Sequence, residues 1–138
     1  MPTSAGASAA AYSSGDVTVT GSLADITGCS VSLAAGTYIV EGIFDVLVNN
    51  ALNDRTFEGH LDVGGSDEND YAQLNAPGLV NVRATLPQVW RITLGSTTTV
   101  KLRAQHSGGT VGDFTVKSTN TTITAYRDTL RKLSRKRP

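Results

Sequence analysis

Apolar residues recur with a period of two along most of this chain, the spacing of β-strands that bury one face. In "GTYIVEGIFDVLV", residues 36–48, the even positions Tyr38, Val40, Gly42, Phe44, Val46 and Val48 make one core-suited face. The odd positions Ile39, Glu41, Ile43, Asp45 and Leu47 are only half polar, so the second face of this strand also needs a cover. "FEGHLDV" alternates cleanly and predicts Phe57, Leu61 and Val63 inward, with Glu58, His60 and Asp62 on a solvated face. "CSVSL" turns Cys29, Val31 and Leu33 inward, "VWRITL" turns Trp90, Ile92 and Leu94 inward, and "TVKLRAQ" sets Val100, Leu102 and Ala104 against Lys101, Arg103 and Gln105. "LVNVRATL" is a further strand, separated from "VWRITL" by Pro87, which has no backbone donor to give a ladder.

Turn-forming clusters punctuate these runs: "AAG", "NNALND", the acidic "GGSDEND" and the glycine-rich "SGGTVGD". "DVTVTGS" opens the pattern and "TTITAYR" closes it. About eight short strands at this spacing predict an all-β fold, an antiparallel sandwich or jelly roll. Residues 1–16 form an Ala/Ser-rich N-terminal arm with no apolar pattern of its own, and an arm of this composition needs a partner to hold it. Residues 17–127 carry the β domain, and 128–138 form a short basic C-terminal helix or tail in which Leu130 and Leu133 lie three apart.

Charge sharpens that division. The formal net charge is zero, yet residues 127–138 hold six basic side chains against Asp128 alone, and the preceding 126 residues hold six against eleven acids. A basic tail therefore follows an acidic body. Three readings of the tail stand side by side: phosphate neutralisation on nucleic acid, docking on an acidic protein surface, and simple solvation. The acidic body and the scarcity of aromatics disfavour nucleic acid. Docking through Leu130, Arg131, Lys132, Leu133, Arg135, Lys136 and Arg137 is the favoured reading, the two leucines packing in a groove and the charges setting register.

Candidate chemistry is thin. Cys29 is the sole cysteine, so no intrachain disulfide or cysteine metal cluster is available. The residues after Met1 lack the basic start and apolar run of a signal peptide, and no segment reaches the ~20 apolar residues needed to cross a bilayer. His60 with Glu58 and Asp62 at same-face spacing could hold a metal or move protons, but a solvated strand face is the simpler expectation. His106 precedes a glycine-rich turn and is expected at the surface. Asp67, Glu68 and Asp70 offer oxygen ligands of the kind calcium takes, without the full spacing of a calcium loop. "SGGTVGD" lacks the Lys-Ser/Thr of a phosphate loop. No catalytic residue, metal site or cofactor is assigned, and no enzyme activity is expected.

"VSLAAGTYIVEGIFDV" resembles the strand-turn-strand of the C1q/TNF-like jelly roll, with Gly36 and Tyr38 in the places of its Gly-x-Tyr. "VWRITLGSTTTVKLRAQHSGG" resembles the paired strands that precede that family's last strand, for which "TTITAYR" is the counterpart. The sequence departs from the family pattern at Val40, where an aromatic is usual, and at Ile123-Thr124-Ala125, where the family ends in Phe-x-Gly. The resemblance implies a homotrimer around a three-fold axis and transfers no catalytic residue. It favours a place between subunits for Ile39, Ile43 and Leu47 over cover by loops or the N-terminal arm of the same chain, with Glu41 and Asp45 needing partners or a position near the rim.

Similar modules occur in tailed-phage structural proteins. Taken with the two arms and the initiating Met1, they imply a stand-alone virion protein, assembled in the host cytoplasm. The expected role is a capsid decoration, or cement, protein that trimerises and binds the major capsid protein, or another virion protein, on the capsid exterior. A receptor- or carbohydrate-binding tip of a tail fibre or spike is the alternative.

Overall fold

The computed structural model describes residues 8–50, 55–76, 80–107 and 113–128. Eleven strands follow in order: β1 (Ala9–Tyr12), β2 (Val17–Thr18), β3 (Ala24–Leu33), β4 (Gly36–Asn50), β5 (Thr56–Val63), β6 (Ser66–Asp67), β7 (Ala72–Asn75), β8 (Val80–Leu94), β9 (Thr98–Ser107), β10 (Phe114–Val116) and β11 (Thr122–Arg127). Among the described residues there is no helix. All pairings are antiparallel and lie in two sheets, the jelly-roll sandwich that the alternation predicts.

The first sheet is built on β4. One edge of β4 pairs β8 from Gly36↔Leu94 to Asn50↔Val80, and the other pairs β11 and then β10. β1 extends the sheet beyond β11, and β2 extends it beyond β10. The second sheet runs β3-β9-β5, with β6 and β7 sharing the far edge of β5. The even face of β4 and the inward residues of β5, β9, β10 and β11 close over one another as the core. Tyr38, Val40, Phe44, Val46, Val48, Phe57, Leu61, Val100, Leu102, Phe114 and Ile123 are all buried. Phe44 meets Phe57 edge-on at 6.0 Å, and Phe57 meets Phe114 at 5.9 Å, so three aromatic rings tie the two sheets together. Each such ring removes enough apolar surface from water to contribute about 1.5–3 kcal/mol.

Several expectations are corrected. β8 is one strand that runs straight through Pro87, because β8 is an edge strand and proline's missing donor is tolerated on an unpaired edge. His60 and Asp62 face outward from the core yet are buried, at 8% and 3% exposure: the Tyr71 ring, just before β7, stacks on His60, and Asp62 accepts from the Gly65 N–H in the turn after β5. Val63 is only half-buried. His106 is not a surface residue: it sits in β9, is buried beside Phe114, and its backbone N–H donates to the Thr20 carbonyl.

Part of the Ala/Ser-rich N-terminal stretch is held by the chain's own sheet. β1 pairs β11 from Ala9↔Ala125 to Tyr12↔Thr122, and the Ser14 N–H then donates to the Thr27 carbonyl. That crossing uses a bulge in β3, where register with β9 shifts between Asp25 and Ser30. Gly28 in the bulge has a φ of 93°, and a Cβ there would stand 2.5 Å from the Tyr12 carbonyl oxygen, so glycine is required. The basic tail residues from Leu130 to Arg137 fall outside the described residues.

Candidate functional site

The odd residues of β4 place a mostly apolar stripe on the outer face of the first sheet. Cross-strand register fixes the neighbours of each. Ile39 lies between Tyr126 of β11 and Arg91 of β8, Glu41 between Thr124 and Val89, and Ile43 between Thr122 and Pro87. Asp45 lies opposite Thr85, and Leu47 between Thr115 of β10 and Arg83. Ile39, Ile43 and Leu47 are half-buried, shielded only by side chains of the same face. Val89 is 55% exposed, and Tyr12, next to Thr122 on β1, is 70% exposed. A contiguous run of isoleucine, leucine, valine, proline and tyrosine thus looks outward with no second layer of described residues over it.

The charged groups within this face differ sharply. Asp45 is 2% exposed and takes a two-pronged bond from Arg83, Nε to Oδ1 at 2.7 Å and Nη2 to Oδ2 at 2.8 Å. The turn at residues 117–121 closes the other side. The Asp45 N–H donates to Thr121 Oγ1 at 3.0 Å, the Thr121 hydroxyl donates to the Lys117 carbonyl, and the Lys117 N–H donates to the Asp45 carbonyl. The carboxylate beside it holds the Arg83 guanidinium yet more firmly protonated, chiefly through their hydrogen bond. At the other end Arg91 Nε donates to Asp128 at 2.9 Å, and the Asp128 N–H donates to the Thr37 carbonyl. Glu41, in the middle, has no hydrogen bond or ion pair among the described residues.

The second sheet's outer face is polar throughout. Asp25 accepts from Lys101 at 2.9 Å and Arg103 at 3.0 Å, Arg103 lies 3.8 Å from Asp67, and Gln105 donates to Glu58 at 2.8 Å. His60 Nε2 is 3.0 Å from the same Glu58 oxygen, and the Tyr71 ring stacks on the imidazole at 4.5 Å. Asp62 accepts from the Gly65 N–H at 3.1 Å, so it serves the Gly64-Gly65 turn and does not converge with Glu58 and His60. Asp67 and Asp70 are likewise tied down locally, Asp67 toward Arg103 and the Asp70 carbonyl by Trp90 Nε1 at 2.8 Å. Among the described residues no three His, Cys, Asp or Glu side chains come together as metal ligands. Cys29 is buried, and burial pushes its thiol up to about 12, which makes it a poor nucleophile.

The residue pattern pointed to Ile39, Ile43 and Leu47, and the sheet brings all three onto one face. It missed Arg83 as the partner of Asp45, and Tyr12 and Val89 as members of the apolar face. Alternation along "NVRATLPQV" carries the signal for Arg83 and Val89, both odd positions, but only strand pairing tells which β4 residue each meets.

No protein-family model matches the chain, and no curated protein matches it in sequence. Solved structures do. A chain of the T13 viral particle of IBDV superposes with a TM-score of 0.62 at 12% identity, over 88% of this chain and 31% of that one. The Eiger TNF of S. frugiperda superposes at 0.54 and 9% identity, over 86% of this chain and 91% of that one. Both likenesses are to the fold. The chain has the jelly roll of TNF-like and viral-particle proteins, and it spans about a third of the viral chain.

Proposed function

We propose that this chain is a non-enzymatic structural protein of a virion that self-associates, as a trimer, through the outer face of its first sheet. The observation that carries this reading is the uncovered apolar stripe of Ile39, Ile43 and Leu47, extended by Val89 and Tyr12, on the outer face of the first sheet. A stripe of this kind on the surface of a small domain is the ordinary signature of an association face. The fold shared with a viral-particle chain supports a place in a virion. The most concrete version is a decoration protein of a tailed-phage capsid, assembled in the host cytoplasm and bound on the capsid exterior. In it the basic residues Arg131, Lys132, Arg135, Lys136 and Arg137, with Leu130 and Leu133, dock on the major capsid protein or another virion protein. Several weak contacts per trimer would then add to tight binding through avidity.

Ile43→Asp tests the face directly. Sedimentation of the wild-type chain should give a trimer, and the variant a folded monomer with association weakened at least about a hundredfold, as expected for a charge forced into an apolar contact. A variant that sediments like the wild type removes the face from the reading. Deleting residues 129–138 should leave the trimer intact and abolish binding to particles.

The second reading is a receptor- or carbohydrate-binding tip. Tyr12 and Tyr71, at 70% and 38% exposure, are the observation in its favour, since exposed aromatic rings are platforms for sugars. Specific binding on a glycan array that is lost in Tyr71→Ala would favour the tip over the decoration protein.

A further inference from the structure

We propose that association through the first sheet's outer face is coupled to proton uptake at Glu41, so that the assembly tightens as pH falls. This rests on the self-association reading and assigns that face its regulation. Glu41 occupies the centre of the face, with Ile39 and Ile43 two residues away on its own strand, Val89 opposite on β8 and Thr124 opposite on β11. It makes no hydrogen bond or ion pair among the described residues. A second copy laid on the stripe covers Glu41 along with its apolar neighbours.

What faces Glu41 decides how that burial is met. From β8 come Arg83 and Arg91, but Arg83 spends Nε and Nη2 on Asp45, and Arg91 is bonded to Asp128. From β11 comes Tyr126 and from β1 Tyr12, neither a cation. From β4 itself comes Asp45, another carboxylate, already paired. Below the turn at 117–121, Lys117 is engaged by Asp16 at 2.6 Å. Arg83, Arg91 and Lys117 thus each hold a carboxylate of their own chain, and Arg127 at the end of β11 is turned to the Tyr38 hydroxyl. A covered carboxylate with no cation to meet is relieved by taking up a proton. Symmetry adds to this, since each copy brings its own Glu41 to the shared surface and like charges oppose one another.

Linkage fixes the sign. If the associated state holds Glu41 protonated more readily than the free chain does, association binds protons and strengthens on acidification. A single Glu41 affected by one unit changes affinity about tenfold, and several copies multiply the effect.

The experiment is sedimentation equilibrium of the full chain and of Glu41→Gln at pH 5, 6.5 and 8, with and without a divalent-cation chelator. The expected wild-type dissociation constant falls at least about tenfold from pH 8 to pH 5. Glu41→Gln should associate as tightly at pH 8 as the wild type does at pH 5, with no slope. A wild-type constant that does not move with pH overturns the proton coupling alone, as does a pH slope that survives in Glu41→Gln. Weaker association of Glu41→Gln at pH 8 also overturns it, because it would mean that a neighbour's cation meets the carboxylate. Dissociation by the chelator overturns it as well, by assigning the compensation to a bound metal ion. Monomers for both proteins at every pH overturn the self-association reading itself.

Discussion

The two outer faces of this sandwich arise from the same alternation and end in opposite states. On the second sheet every outward position of β9 is polar, and Lys101, Arg103 and Gln105 each find a partner on β3 or β5 within the chain. On the first sheet the outward positions of β4 from Ile39 to Leu47 are three aliphatics and two acids, and among the described residues only one of the acids, Asp45, has a partner. The second face meets its charges within the chain, although the buried Nδ1 of His60 has no hydrogen-bond partner among the described residues. The first face leaves Ile39, Ile43 and Leu47 half-covered and Glu41 without a partner among the described residues, and the proposed function rests on that difference.

The largest test of the contrast removes one arginine from each face. Arg83→Ala strands Asp45, which is 2% exposed, and should cost about 2–3 kcal/mol of folding stability. This lies at or just below the low end of the usual range of about 3–5 kcal/mol for a broken buried pair, because Arg83 is itself 47% exposed and its loss lets some water reach the acid. Arg103→Ala removes a partner from Asp25, which is half exposed, and should cost about 0.5 kcal/mol. Urea denaturation of both, made in the Ile43→Asp chain so that association does not contribute, measures the difference. Adding Asp45→Ala to Arg83→Ala should recover part of the loss, since most of it is the penalty of an unpaired buried charge. Equal costs on the two faces would erase the distinction.

A smaller effect tests how the second face came to bury a histidine. Tyr71 covers His60 as a flat lid at 4.5 Å, so Tyr71→Ala should cost about 1 kcal/mol in thermal unfolding while Tyr71→Phe stays near the wild type. If alanine is harmless, the stacking is incidental and His60 is buried by β5 and its neighbours alone.

These pairs mark what the residue pattern can carry. The core was legible because alternation needs only local sequence: Cys29, Val31, Leu33, Trp90, Ile92, Leu94 and the even residues of β4 all lie where period two puts them. The burial of His60 and Asp62 was not, since it depends on Tyr71, brought beside His60 as β7 pairs β5, and on the Gly64-Gly65 turn at Asp62. Pro87 misled for a related reason: proline breaks a strand paired on both edges and not one paired on one edge, and edge position is a property of the whole sheet. The Asp45–Arg83 pair joins residues 38 apart, a separation that only the β4–β8 register resolves.

The smallest effect is also the one that sets the two faces against each other in acid. Asp25, hydrogen-bonded first to Lys101 and also drawn on by Arg103, is held below the ordinary carboxylate range. A carboxyl lowered in the folded state binds its proton more readily when unfolded, so its contribution is complete above about pH 4 and is lost as pH falls through its folded value. Asp25 is 51% exposed, so water and salt screen the pair, and Asp25→Asn should cost only about 0.5 kcal/mol at pH 7. The variant and the wild type should converge in stability once pH has fallen below the lowered folded value of Asp25, and raising salt should narrow the gap at neutral pH. Acid thus loosens the ion pairs of the second face, whereas the proton coupling proposed at Glu41 would draw copies together on the first. If acid weakens both, Glu41 meets a cation in the assembly, and the two faces obey one rule.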